Sequence, residues 1–116
     1  METSIRIKRA YDPPEPGDGL RILIDRLWPR GMPKSKLKLD AWVKHLAPSN
    51  ALRKWYQHDP DKFTEFRKRY VAELKAQGEG LAELRARLKG RAVTLLTATK
   101  ELDLSHATVL RALLAK

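Results

Sequence analysis

The chain has 116 residues, 42% of them apolar and 33% charged, and no cysteine. That composition fits one soluble globular domain with a single core, spanning 1–116; it excludes disulfides, thiol nucleophiles and thiolate metal sites, and argues against a disordered chain. Twenty-four Lys and Arg against 14 Asp and Glu leave a net charge of +10, which either favours polyanionic partners or serves solubility alone.

No apolar run approaches the ~20 residues that a membrane span needs. The opening METSIRIKRAYD passes straight into strand-like sequence, with no signal peptide. With no cysteine in use, a cytoplasmic location is the expectation.

Ser4 to Arg9 alternates, with Ile5 and Ile7 on one face and Arg6 and Lys8 on the other, as in a half-buried strand near a sheet edge. Tyr11 to Gly19 holds three prolines and two glycines in nine residues and reads as a loop. It is short for a helical crossover, so the first two strands should be antiparallel or separated in the sheet. Leu20 to Arg26 contains the apolar run Ile22-Leu23-Ile24 and reads as a central buried strand.

Gly31 to Ser35 is a second turn, and Ser35 is placed to cap a short helical turn reaching Leu39. Between Asp40 and Leu46, the spacing of Trp42, Val43 and Leu46 suits one helical face. Ser49 sets an N-cap for a helix over Asn50 to Gln57, with Leu52, Trp55 and Tyr56 on one side. Asp59-Pro60 starts the next helix, Pro60 at the first position, where its missing N–H costs nothing. Phe63, Phe66, Tyr70 and Leu74 share its face as far as Gln77, Glu65 and Arg69 can pair, and Gly78 and Gly80 should end it.

Leu81, Leu84 and Leu88 mark a further short helix, with Glu83 and Arg87 spaced to pair and Gly90 as the stop. Ala92 to Thr97, AVTLLT, is a second buried strand. Asp103 or Ser105 caps a last helix whose inner face is Ala107, Leu110, Leu113 and Leu114. Buried strands alternating with helices predict an α/β fold: a small parallel or mixed sheet of about three strands packed by helices.

If the two buried strands are parallel, their carboxyl ends share one edge of the sheet, where ligands of open α/β sheets bind. Asp25, Arg26 and Arg30 follow the first; Thr97, Thr99 and Lys100 follow the second. The last helix begins at Ser105-His106, so its first N–H groups approach the same edge and, with the arginines, suit a phosphate or carboxylate. Trp28 either stacks on a base or sugar or anchors the core. Asp25 either acts as a base or forms an ion pair with Arg26, Arg30 or another arginine. His106 is the candidate acid/base histidine.

No GxGxxG, Walker loop, HExxH or GxSxG occurs, and His45, His58 and His106 lack metal-ligand spacing. No metal or cofactor is therefore expected.

The run Asp25 to Gly31, DRLWPRG, resembles the signature of the YeaO-like family, small bacterial proteins classed as a domain of unknown function. Lys8 to Pro13, Leu39 to Trp42, Leu46 to Ser49, Leu52 to Trp55, His58 to Pro60, Phe66 to Tyr70, Glu73-Leu74, Leu95 to Ala98, and His106-Ala107 with Val109-Leu110 extend the likeness over nearly the whole chain. Family members often carry Asn-His-Ala where this chain has Ser105-His106-Ala107, and serine and asparagine both cap helices. The resemblance implies a compact cytoplasmic α/β protein and no particular reaction.

Three readings follow as expectations, the third a structural or partner-binding protein whose charged loop is only an internal brace. One is a small anionic ligand, phosphate-containing or nucleotide-like, bound and in one version turned over at the DRLWPRG loop. Asp25 and His106 would be the catalytic pair, with Arg26, Arg30, Trp28, Thr97, Lys100 and Ser105 as ligand contacts. The alternative is a nucleic-acid-binding module that uses Lys34, Lys36, Lys38 and the Arg67 to Arg69 face.

Overall fold

The computed structural model describes residues 3–115. Four strands form one sheet: β1 (Ser4–Arg9), β2 (Leu20–Leu23), β3 (Ala41–Trp42) and β4 (Ala92–Thr97). Their order is β1-β4-β2-β3, and every neighbouring pair is parallel. β1 is the predicted edge strand. The short loop after it is accommodated because β4 separates β1 from β2.

Alternation along the strands divides the core in two. Ile22, Ile24, Val93 and Leu95, with Ile5, Ile7 and Leu20, point to one face. There they meet α2 (Asn50–Tyr56), α3 (Phe63–Ala76), α4 (Gly78–Leu88) and α5 (His106–Leu114) through Leu52, Phe66, Tyr70, Leu84 and Leu110. Leu23 and Leu96 point the other way and pack with Ala10, Trp28, Trp42 and Leu37, the last from the one-turn helix α1 (Lys34–Leu37).

The second face also carries charge. Arg6, Thr94 and Arg21 lie side by side across β1, β4 and β2. All three reach Asp18, which is 1% exposed. Its carboxylate pairs with Arg6 at 3.1 Å, Lys8 at 3.0 Å and the Arg21 guanidinium, and its carbonyl accepts from the Thr94 hydroxyl at 2.8 Å. Arg21, 5% exposed, also donates to the Leu37 carbonyl at 2.8 and 3.1 Å. Burial alone would raise the Asp18 carboxyl. The N–H of Glu15 and the cations Lys8 and Arg21 outweigh it and hold the group below its ordinary value.

Several expectations are corrected. The Asp40 to Leu46 segment is not helical: Ala41-Trp42 pairs with Ile22-Leu23, and a 3-10 turn covers Lys44–Leu46. Trp42 packs half-buried with Leu23 and Leu96, whereas Val43 and Leu46 are buried in the opposite core, so the helix-like spacing does not correspond to one face. Gly78 and Gly80 do not end α3; they open α4, and the break falls at Gln77. Gly80 packs closely there: a Cβ would sit 3.2 Å from the ring of the exposed His45. Ser35 lies inside α1 and does not cap it; Pro33 holds the cap position. Asp59 caps a 3-10 turn over Pro60–Lys62 that leads into α3. Of the two candidates for the α5 cap, Ser105 is the one used, its Oγ accepting from Ala107 N–H.

Gly19 carries φ +64°, and a Cβ there would overlap the Ala92 carbonyl. Gly19→Ala is therefore expected to cost at least about 3 kcal/mol, overpacking added to left-handed strain. The urea midpoint reads it; an unchanged midpoint would show that the loop has another way past β4.

Candidate functional site

Parallel pairing sends the chain off β1, β2 and β4 at one edge, and a cleft of about 620 Å³ opens there. Its floor is built on Asp25. The Asp25 Oδ1 accepts from the Thr97 hydroxyl at 2.7 Å and Oδ2 from the Ala98 N–H at 2.8 Å. This ties the end of β2 to the end of β4. His106, the first residue of α5, brings Nε2 to 3.2 Å from Asp25 Oδ1 and 3.0 Å from the Ile24 carbonyl. Both partners only accept, so the Nε2 of His106 donates to them. Burial pushes the Asp25 carboxyl up. His106, the Ala98 N–H and the Thr97 hydroxyl outweigh it and hold the carboxyl below its ordinary value. Asp25 is thus an ionised, fully engaged brace and a weak base.

The loop after Asp25 forms one wall. The Arg26 guanidinium donates to the Ala47 and Pro48 carbonyls at 3.3 Å, fastening the loop to the start of α2. Trp28 donates to the Met32 carbonyl at 2.7 Å and sets its ring edge-on to Trp42, with centroids 5.6 Å apart. It is a core anchor that also lines the cleft. Arg30 is exposed at the mouth, and its carbonyl accepts from the Tyr11 hydroxyl at 2.9 Å.

The other wall is α2. Its Ser49 cap accepts from Leu52 N–H and donates to Glu73 of α3 at 2.6 Å, which fixes the helix. From it, Arg53 and Lys54 line the cleft, both exposed. Tyr56 and Phe66 stack beneath, with centroids 4.1 Å apart.

Of the residues singled out in the sequence, Asp25, Arg26, Trp28, Arg30, Ser105 and His106 line this cleft. Thr97 is buried; its hydroxyl donates to Asp25 at 2.7 Å and accepts from the Thr99 N–H at 3.3 Å. Lys100 is exposed and lies outside the lining, while its neighbour Thr99 lies within it. The Asp25 partner is His106, not an arginine. Tyr11, Arg53, Lys54 and His58 were not anticipated. The first lies in a loop read only as a spacer. The other three sit on α2 or just after it, and no periodicity marks which helix face meets a sheet edge. Among the described residues, no cluster of His, Cys, Asp and Glu could hold a metal, and no helix is long and apolar enough to cross a membrane.

A parallel sheet with its main helices on one face and a cleft at its carboxyl edge defines an α/β protein of the open-sheet class. Residues 4–116 match the family described as the inactive DUF488-N3 subclade, and the chain belongs to that family. It is 47% identical over 114 residues to the uncharacterized protein Rv3073c of Mycobacterium tuberculosis (strain ATCC 25618 / H37Rv), covering 97% of this chain and 95% of that one. It is 44% identical over 110 residues to the uncharacterized protein YeaO of Escherichia coli (strain K12), covering 92% and 93% respectively. The resemblance carried by the DRLWPRG run is borne out. No solved structure matches the chain.

Proposed function

We propose that the cleft binds a small anionic ligand, phosphate-containing or nucleotide-like, and that Asp25 and His106 position it. One observation carries this reading. Arg30, Arg53 and Lys54 line the cleft, and among the described residues none pairs with a carboxylate. The one carboxylate in the lining, Asp25, has both oxygens occupied by Thr97, Ala98 and His106. Unpaired cations around a concave site favour an anion, and arginine suits the paired oxygens of phosphate. A binding role also agrees with the family description, inactive.

The nucleic-acid reading has less to stand on. Trp55, the aromatic beside the basic face of α3, lies under Arg69 at 4.1 Å and Lys62 at 5.1 Å, so its ring is not open to a base. Arg69 is further engaged with Glu65 at 3.0 Å.

Thermal-shift measurement with inorganic phosphate and ribose 5-phosphate tests the proposal at low and physiological salt. At tenfold excess over Kd, a bound ligand raises Tm by about 5 °C. The double variant Arg53→Ala, Lys54→Ala is expected to lose most of that shift, and Arg30→Ala part of it. An equal shift in the double variant, or none in the wild type, would overturn the reading.

A further inference from the structure

The cleft is larger and more apolar than a bare anion requires. Sites of roughly 300–1,000 Å³ enclose drug-sized molecules, and this cleft holds about 620 Å³. Inorganic phosphate at Arg53 and Lys54 would leave most of it to water.

The remaining wall has a distinct chemistry. The exposed large hydrophobic residues among those described are Tyr11, 41% exposed, and Leu27, 64% exposed. Both line this cleft, beside Trp28 and Pro29. A single exposed leucine needs no explanation; both such residues at the mouth of one cleft do.

Tyr11 is also held in place. Its hydroxyl donates to the Arg30 carbonyl at 2.9 Å, and the Arg9 guanidinium lies 5.2 Å from its ring centroid. Arg9 is not part of the cleft lining, so the other ring face is the one left toward the ligand. A ring fixed before binding loses little conformational freedom when something stacks on it. The cleft therefore has a flat apolar zone on the loop side and a cationic zone on α2. Ser105 and His106 add polar side chains to the lining.

We infer that the ligand is a nucleoside monophosphate, its base against Tyr11 and Leu27 and its phosphate at Arg53 and Lys54. This inference rests on the anion-binding reading and narrows it. A planar base matches the apolar zone, a terminal phosphate the cationic zone, and a hydroxylated sugar the polar side chains of the floor.

The test is calorimetric titration with ribose 5-phosphate, inorganic phosphate, and the 5′-monophosphates of adenosine, guanosine, cytidine and uridine. At least one nucleotide is expected to bind tenfold or more tightly than ribose 5-phosphate. Tyr11→Ala should weaken that nucleotide about tenfold, the scale of one base stack, and weaken ribose 5-phosphate by clearly less. Tyr11→Phe keeps the ring and should retain most of the gain. If ribose 5-phosphate binds as tightly as all four nucleotides, and the Arg53→Ala, Lys54→Ala double variant abolishes that binding, the anion site stands and the nucleotide inference is overturned. If none of the phosphate compounds binds, both are overturned.

Discussion

Asp18→Asn is expected to lower stability by about 3–5 kcal/mol, the scale of removing one partner from a buried ion pair. The change keeps the shape and removes only the charge. Arg21 and Lys8 then lose their buried counter-charge, and Arg21 has little access to water. Arg6 is half exposed and contributes little to the loss. Because Asp18 and Arg21 act as a unit, the double variant Asp18→Asn, Arg21→Met should cost less than the sum of the two single changes. Urea unfolding of the three variants measures this, and additive costs would show that the cluster is not coupled. The same cluster sets an acid limit. Its folded pKa lies below the ordinary 3.8, so the unfolded chain takes up the proton first. The stabilisation is complete above the unfolded value and is lost as pH falls through the folded one. Asp18→Asn should flatten the acid limb of the stability profile.

Asp25→Asn is expected to cost about 2–4 kcal/mol, from losing a charged acceptor and leaving buried donors unpaired. Three donors converge on Asp25: the Thr97 hydroxyl, the Ala98 N–H and the His106 Nε2–H. An amide offers one acceptor oxygen, and its own NH2 must face at least one of those donors. The Tm should fall by roughly 10 °C. The substitution also has a local signature. With the carboxylate gone, the preference for a proton on Nε2 of His106 weakens, and the nitrogen chemical shifts of the ring should move toward a mixture of tautomers. A His106 ring unchanged in tautomer, in a variant of unchanged Tm, would show that Asp25 does not brace the cleft floor. Here too the folded pKa lies below 3.8, so this contribution fades as pH falls through it.

The strands were legible because their burial leaves a mark in the chain. AVTLLT is buried on both faces, and Ser4 to Arg9 alternates because an edge strand faces water on one side. The placement of Asp25 and His106 at one edge followed from parallel pairing alone. Their direct contact did not, because it depends on how α5 docks against the sheet. Arg21 stood inside an apolar run, and a lone charge there signals a buried partner; Asp18, three residues earlier, was read only as part of a loop. The Trp42 to Leu46 segment misled for a physical reason. Trp42 on the strand and Val43 and Leu46 at the 3-10 turn are apolar because they pack on opposite faces of the sheet, and that need leaves the same spacing as one helical face. Arg53 and Lys54 looked like an ordinary wet helix face, and only the docking of α2 beside the DRLWPRG loop turns that face into a wall of the cleft.

The most direct test of the cleft as an anion site is a titration of 15N-labelled protein with inorganic phosphate at physiological salt, followed residue by residue. Saturable shifts are predicted at Arg30, Arg53, Lys54, Thr99 and His106, with Arg67 and Lys68 on the outer face of α3 unmoved. Shifts spread over Lys34, Lys36, Arg67 and Lys68 without saturation, and absent from the cleft, would contradict the account.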